Sequence, residues 1–336
     1  MSKRTLDCFF APPAKKLRVK DQLTREGPQS ATATATATSY PTYPWPVPRL
    51  PPHVTSEMEN LVTASGRDIN DQPHLDLVYF RPFIPRTIER EMFEFLRSEL
   101  FFYRVKYTIQ RYGKSTEVNT PRFTTVFGID ETSHFIAEPP SIVEASNRMK
   151  IVSKTKYKCQ PRPIPECLDL LRRVTEAATD TKYNFCLVNY YASGSDSISY
   201  HSDDESFLGP KPVIASFTLG ATRDFLMKHK PIAPKNGGEP LKTSPIKLQL
   251  GSGDMVLMRG TTQANWLHSI PKRKGADADK GRVNITFRQA MIPGGTDNYY
   301  RYNVGDGGVY RWSSEKKAML PWTSNLSAGL ETHKTP

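Results

Sequence analysis

Arg282-Val283-Asn284-Ile285-Thr286-Phe287-Arg288 is the stretch that decides the fold. Its residues alternate between polar and apolar, the period of a β-strand whose successive side chains point to opposite faces. Val283, Ile285 and Phe287 would enter a core, while Arg282, Asn284, Thr286 and Arg288 would share the other face. Two guanidiniums and two small polar groups on one face are costly to bury without an anion. A dicarboxylate suits them, because a guanidinium fork binds a carboxylate bidentately. This strand is therefore expected to back a core and line a polar cleft at once.

Working outward, strand patterns recur upstream at 185–191, 214–219, 224–228, 246–250 and 254–258, separated by Gly, Pro and Ser turns. Short strands so spaced predict a β-sandwich or jelly roll. Two helical patterns precede them and would brace one sheet. Residues 85–100 place Ile88, Met92, Phe95 and Leu96 on one side, and residues 165–178 do the same with Leu168, Leu171 and Val174. A compact domain is predicted to begin near Leu75, with strands at 75–80 and 101–112. Residues 1–60 carry an Ala/Thr tract at 31–38 and a Pro-rich run at 40–52, so a disordered tail is expected there. Gly294, Gly295, Gly305, Gly307 and Gly308 predict a loose C-terminal extension over 293–336, and no internal repeat is visible.

Composition narrows the function. The formal net charge is +12, and residues 1–60 hold only eight Lys/Arg against five Asp/Glu, so most of the excess lies on the folded part. A basic domain suits a polyanion such as nucleic acid. No run approaches the roughly 18 apolar residues of a membrane span. Lys3, Arg4 and Asp7 interrupt any signal-peptide core, so an intracellular protein is expected. Cys8, Cys159, Cys167 and Cys186 show no CxxC pairing, which predicts free thiols rather than a cysteine metal site.

A metal site is expected instead from His201-Ser202-Asp203 and the distant His268. On a strand, residues i and i+2 share a face, so His201 and Asp203 can offer an imidazole and a carboxylate to one ion. A second histidine from another strand would complete three ligands on one face of an octahedron. Three open positions remain, which ferrous oxygenases need for co-substrate and O2. Zinc would prefer a closed four-coordinate set, and no PCxxC follows, as a zinc deaminase would require. An HxD alone is a weak signal; the strand at 282–288 gives it weight.

The HxD, the distant histidine and the RxNxTFR strand together resemble the AlkB family of iron(II)/2-oxoglutarate-dependent dioxygenases, and within it the nuclear DNA-repair branch of the eukaryotic homologues. Further blocks carry the resemblance from Leu75 to Arg288: Phe185-Cys-Leu-Val-Asn-Tyr-Tyr191, Tyr200-His-Ser-Asp-Asp-Glu205, Phe217-Thr-Leu-Gly-Ala-Thr-Arg-Asp-Phe225 and Trp266-Leu-His-Ser-Ile270. The resemblance implies an α+β, mainly β fold: a double-stranded β-helix, or jelly roll, braced by N-terminal helices. The domain would span 70–292, with a nucleotide-recognition lid at about 104–160 and the catalytic β-helix at about 183–292. It also implies iron(II), 2-oxoglutarate and O2, with ascorbate as reductant. His201, Asp203 and His268 would bind the iron and, with Arg288, form the catalytic set. Asn189, Tyr191, Arg282, Asn284, Thr286 and Arg288 would hold 2-oxoglutarate, Arg282 at its distal carboxylate and Arg288 near the carboxylate beside the keto group. The implied reaction is oxidative demethylation of bases such as 1-methyladenine and 3-methylcytosine in DNA, releasing an aldehyde, succinate and CO2.

Such chemistry needs the base outside the stack. The resemblance places a wedge hairpin at Ile109-Gln-Arg-Tyr-Gly-Lys114, with Tyr112 and Gly113 at its tip and Arg111 and Lys114 near phosphates. Arg122, in Thr120-Pro-Arg-Phe123, would also contact the substrate, Tyr157 would line the flipped base, and Asp204 would touch it. Residues 128–154 are longer than the family pattern. Lys272-Arg-Lys274 is a second candidate DNA grip, with a solvated loop as the plain alternative. Lys3–Phe10 resembles a sliding-clamp-binding peptide, with Leu6, Phe9 and Phe10 forming one apolar plug and Lys3 where glutamine is usual. Lys15–Lys20 reads as a nuclear-import patch. A nuclear monomer acting on double-stranded DNA and recruited by the replication clamp is expected. The alternatives are an RNA or protein demethylase or hydroxylase of the same chemistry and a non-enzymatic clamp-binding scaffold.

Overall fold

The computed structural model describes residues 47–63, 65–111, 114–136, 141–231, 241–301 and 308–322. In chain order its strands are β1 (Arg67–Ile69), β2 (Leu77–Phe80), β3 (Phe102–Tyr103), β4 (Lys106–Arg111), β5 (Lys114–Asn119), β6 (Phe123–Gly128), β7 (Ser133–Ile136), β8 (Ser141–Glu144) and β9 (Phe185–Tyr191). They continue with β10 (Ile198–His201), β11 (Ile214–Gly220), β12 (Arg223–His229), β13 (Ile246–Leu250), β14 (Met255–Met258), β15 (Trp266–Ile270), β16 (Arg282–Arg288), β17 (Val309–Ser313) and β18 (Ala318–Pro321). Ten of them form one large sheet in the order β1-β2-β14-β11-β16-β9-β6-β3-β17-β18. Four form a smaller sheet, β10-β15-β12-β13, and β4-β5 and β7-β8 are separate two-stranded pairs. The two main sheets are the halves of the jelly roll expected from the strand spacing.

β16 sits near the middle of the large sheet and is buried at every residue. Its Val283, Ile285 and Phe287 join the main core, where Phe287 meets Phe217 edge-on at 6.0 Å. Helix α1 (Pro52–Glu59), helix α2 (Glu89–Glu99) and helix α3 (Glu166–Thr179) flank this core. α2 packs against β11 and β16 through Met92, Phe93 and Leu96, with Ile88 buried just before it; Phe95, expected on that face, is only partly buried. Each fully buried leucine or phenylalanine there contributes roughly 1.5–3 kcal/mol. α3 buries Leu168 and Leu171 and leaves Val174 half-buried. It stops at Asp180, whose left-handed backbone ends the hydrogen-bond ladder.

Three expectations are corrected, and one segment left open by the sequence is filled in. First, the tail expected through residue 60 ends earlier. Pro52 starts α1, where its missing N–H costs nothing, and Leu50, Val54 and Met58 are buried against the core. The sheet also begins before Leu75, because β1 pairs with β2. Second, 101–112 is not one strand. Phe101, Phe102, Tyr103 and Val105 are all buried, without alternation, and hold β3 in the large sheet. The chain then leaves as β4 to pair with β5, and Thr120 closes the neck by donating its N–H to the Val105 carbonyl at 2.9 Å.

Third, the long segment after Gly128 builds a small core of its own from Ile129, Ile142, Val152 and Tyr157. Fourth, the described residues of the C-terminal segment, 293–301 and 308–322, are not loose. β17 pairs with β3 and β18, and the Trp312 ring lies 4.0 Å from the Arg97 guanidinium. Tyr300 is fully buried and donates its hydroxyl to the Gly128 carbonyl at 2.6 Å. Beside it the Arg162 guanidinium sits among the Phe101, Tyr103, Phe127 and Tyr300 rings at 4.8–5.8 Å. Glycine content suggested a loose extension, but aromatic packing holds the described residues around Tyr300 and Trp312.

Candidate active site

β10 and β15 are antiparallel neighbours, and their register sets His201 opposite His268 with ring centroids 4.2 Å apart. A register shift between Ile198 and His201 marks a bulge, a common device for re-aiming a side chain beside a site. Asp203 lies two residues past the end of β10, so strand alternation does not hold it, contrary to expectation. Its backbone N–H donates to Gln263 Oε1 at 2.9 Å, and Arg288 Nη2 contacts its Oδ2 at 3.0 Å. His201 Nε2 lies 3.9 Å from Asp203 Oδ1 and His268 Nε2 lies 4.0 Å from Oδ2. The three ligating atoms fall within 4.8 Å of one another and all three residues are buried.

The protonation states suit a metal. His201 Nδ1 donates to the Ser199 carbonyl at 2.9 Å, which leaves the Nε2 lone pair free. Burial pulls both imidazoles toward the neutral form, and with the neighbouring His201 it brings His268 down to about 3. Burial would raise the Asp203 carboxyl, but Arg288, His268 and His201 together hold it below the usual range. Asp203 Oδ1 is buried with no hydrogen-bond partner among the described residues. Two neutral imidazoles and one carboxylate form the facial set of a non-haem iron(II) site.

Next to the triad lies the polar face of β16. Its ladder with β9 sets Arg282 opposite Tyr191 and Asn284 opposite Asn189, and all four line the cleft with Thr286 and Arg288. Asn284 Nδ2 donates to Ser216 Oγ and the Phe217 carbonyl, and Thr286 donates to the Leu187 carbonyl. The arginines are less satisfied. Arg282 Nη2 donates to Thr218 at 2.8 Å, but its Nε and Nη1 are buried without acceptors among the described residues, as is Arg288 Nε. Burial lowers Arg282 to about 10, which leaves it charged at neutral pH. Buried cationic donors without acceptors among the described residues fit an anionic ligand such as a dicarboxylate.

The 2OG-Fe(II) oxygenase superfamily matches residues 76–288. The chain belongs to that superfamily. Its relatives place the oxygenase in the AlkB family. The DNA oxidative demethylase ALKBH2 of Arabidopsis thaliana is 30% identical over 252 residues, 71% of this chain and 74% of that relative. The DNA oxidative demethylase ALKBH2 of Mus musculus is 41% identical over 133 residues, 39% of this chain and 53% of the relative. The alpha-ketoglutarate-dependent dioxygenase alkB homolog 3 of Mus musculus is 39% identical over 136 residues, 40% and 46% of the two chains. The two mouse matches thus span about half the length of those relatives.

Around this core the oxygenase places the remaining candidates unevenly. Asp204 is close by, and Lys230 Nζ donates to its Oδ2 at 2.8 Å and to the Gln263 carbonyl at 2.9 Å. Arg122, expected at DNA, is buried in the cleft and donates from Nε to Asn189 Oδ1 at 3.0 Å. Tyr157 does not reach the cleft. It is buried in the small core, where its hydroxyl donates to Ser133 Oγ at 2.9 Å. Arg111 and Lys114 face each other at the end of the β4-β5 ladder. Tyr112 and Gly113, like Leu6, Phe9, Phe10 and the Lys15–Lys20 patch, lie outside the described residues. Lys272 and Lys274 are exposed, whereas Arg273 donates to the Thr222 carbonyl.

Lys230, Gln263, Glu205 and Tyr299 were not anticipated. No motif marks Lys230 or Gln263, which reach the site from other elements. Adjacent Tyr299 and Tyr300 in a Gly-rich stretch are a signal that could have been read, since two large aromatics side by side argue for burial.

Proposed function

We propose that this oxygenase removes alkyl groups from N-alkylated bases of nuclear DNA by direct reversal, acting on lesions of the 1-methyladenine and 3-methylcytosine type. The observation that carries this reading is the 252-residue match to a relative named a DNA oxidative demethylase. Iron(II), with O2 and 2-oxoglutarate, supplies the oxidising power to hydroxylate the N-linked carbon, with succinate and CO2 as co-products.

The chain's own residues prepare that step. His201, Asp203 and His268 would hold the metal with both imidazoles neutral. Arg282 would take the distal carboxylate of 2-oxoglutarate and Arg288 would lie near the other, fixed by its contact with Asp203. Asn189, Tyr191, Asn284 and Thr286 shape the cleft between them. Asp204, tethered by Lys230, stands next to the metal carboxylate and would meet the target base.

The β4-β5 ribbon is paired only to itself and ends at Arg111 and Lys114, which favours a probe entering a duplex. Tyr112 would be the wedge, with the two cations on phosphates. Lys3–Phe10 would dock on the sliding clamp, and Lys15–Lys20 would direct a monomeric enzyme to the nucleus. Deleting residues 1–20 is expected to leave turnover in vitro unchanged and abolish recruitment to replication foci.

The deciding experiment is repair of a methylated duplex oligonucleotide with iron(II), 2-oxoglutarate and ascorbate, against a single-stranded control and a methylated RNA. Lesion loss mainly in the duplex supports the full reading. Loss only in single strands keeps the chemistry and removes the wedge. Loss only in RNA reassigns the substrate.

A further inference from the structure

We propose that Tyr299, which lies beyond the family-matched residues 76–288, is a positioning residue for the co-substrate arginine. The inference deepens the assignment of Arg288 to 2-oxoglutarate and rests on it.

The geometry is directional. A guanidinium has five donors and no acceptor, so Arg288 Nη1 donates to the Tyr299 hydroxyl at 2.7 Å. The tyrosine's single proton is then left for Glu205 Oε1, to which it donates in a short contact. On the other side of the guanidinium, Nη2 is held by Asp203. Asp203, Arg288, Tyr299 and Glu205 thus form one buried chain of charge-assisted hydrogen bonds, a class stronger than neutral pairs. Asp203 and Glu205 belong to the same short segment after β10, so the chain also braces the loop that carries the metal carboxylate. With Nη1 and Nη2 both engaged, the guanidinium plane is set and its Nε remains without an acceptor in the cleft.

The tyrosine itself is fixed. Its ring packs edge-on against Phe185 at 5.3 Å and Phe207 at 5.9 Å. Tyr300 anchors the same turn elsewhere, through the Gly128 carbonyl and the Arg162 N–H. The pair therefore divides the work: Tyr299 reaches the reactive cleft and Tyr300 holds the segment to the scaffold.

The test compares Tyr299→Phe with Tyr300→Phe, since each loses one hydroxyl and keeps its ring. Affinity for 2-oxoglutarate is measured by calorimetry on manganese(II)-loaded protein, alongside KM and kcat for 2-oxoglutarate and the melting temperature. Tyr299→Phe is expected to weaken 2-oxoglutarate binding about tenfold, the scale of a lost hydrogen bond to a charged group. Its melting temperature should also fall, because buried Arg288 and Glu205 lose a partner, while kcat should recover at saturating 2-oxoglutarate. Tyr300→Phe should lower the melting temperature and leave the affinity within about twofold. Wild-type affinity in Tyr299→Phe overturns the proposal, as does equal weakening in both variants, which would mean a purely structural role. Failure of the wild-type protein to bind 2-oxoglutarate would overturn it together with the co-substrate assignment, and is told apart because the unmodified chain fails too.

Discussion

The cleft and the β4-β5 hairpin of this molecule are built on opposite terms. His268, Arg282 and Arg288 sit within strands that are paired on both edges and buried on both faces, and His201 is their ladder neighbour. The β4-β5 ribbon is paired only to itself and joins the body through a neck at Val105 and Thr120. A lone two-stranded ribbon is marginal as a stable unit. Reaction geometry tolerates errors of a fraction of an ångström, so it is placed where packing forbids adjustment. On the proposed reading, the hairpin would meet nucleic acid, where an adaptable element is tolerable.

That contrast can be broken at four points. The largest effect belongs to the metal carboxylate: Asp203→Ala should abolish lesion removal while DNA affinity, read by fluorescence anisotropy, stays within about twofold, because phosphate contacts elsewhere dominate affinity. Residual turnover in that variant would mean the triad is misassigned. Next comes Arg282→Lys, where an ammonium replaces a planar fork. The KM for 2-oxoglutarate should rise roughly tenfold or more, the range for a lost charged hydrogen bond, with the ratio of duplex to single-strand repair unaltered. A normal KM would detach Arg282 from the co-substrate.

At the hairpin, Tyr112→Ala should reduce duplex repair roughly tenfold, comparable to one lost base-stacking contact. Repair of single strands should be spared. Equal losses on both substrates would make the tyrosine part of the fold rather than a probe. The smallest effect is expected from Tyr157→Phe, which removes the bond to Ser133. Chemical denaturation should show a loss of about 1 kcal/mol with turnover unchanged. A specific loss of repair there would return Tyr157 to the substrate pocket.

What was legible in the sequence follows the same division. The alternation of 282–288 carried both its core face and its cleft face, because one strand buried on both sides must declare the two environments in its residues. His201 and His268 were also readable, since a metal restricts ligand chemistry to few residue types. The support for Asp203 was not, because Gln263 and Arg288 come from remote elements and follow no local pattern. Tyr157 was misplaced because it falls in the inserted segment, which packs it into a small core of its own. The break between β3 and β4 was hidden for a related reason. Phe101 to Val105 looks like any strand until it is known that Phe101, Phe102, Tyr103 and Val105 are all buried.

The order of the large sheet has a consequence for how this chain reaches its native state. β2 is bonded to β14, β6 to β9, β9 to β16, and β3 to β17, so most ladders join segments far apart in sequence. Each such pairing must close a long loop before any contact rewards it, and folds dominated by these pairings are slow to form. The ligands of the triad obey the same restriction, since His201 and His268 meet only once β10 and β15 have paired. A divalent ion is therefore expected to be captured late in refolding, locking a finished barrel rather than seeding one.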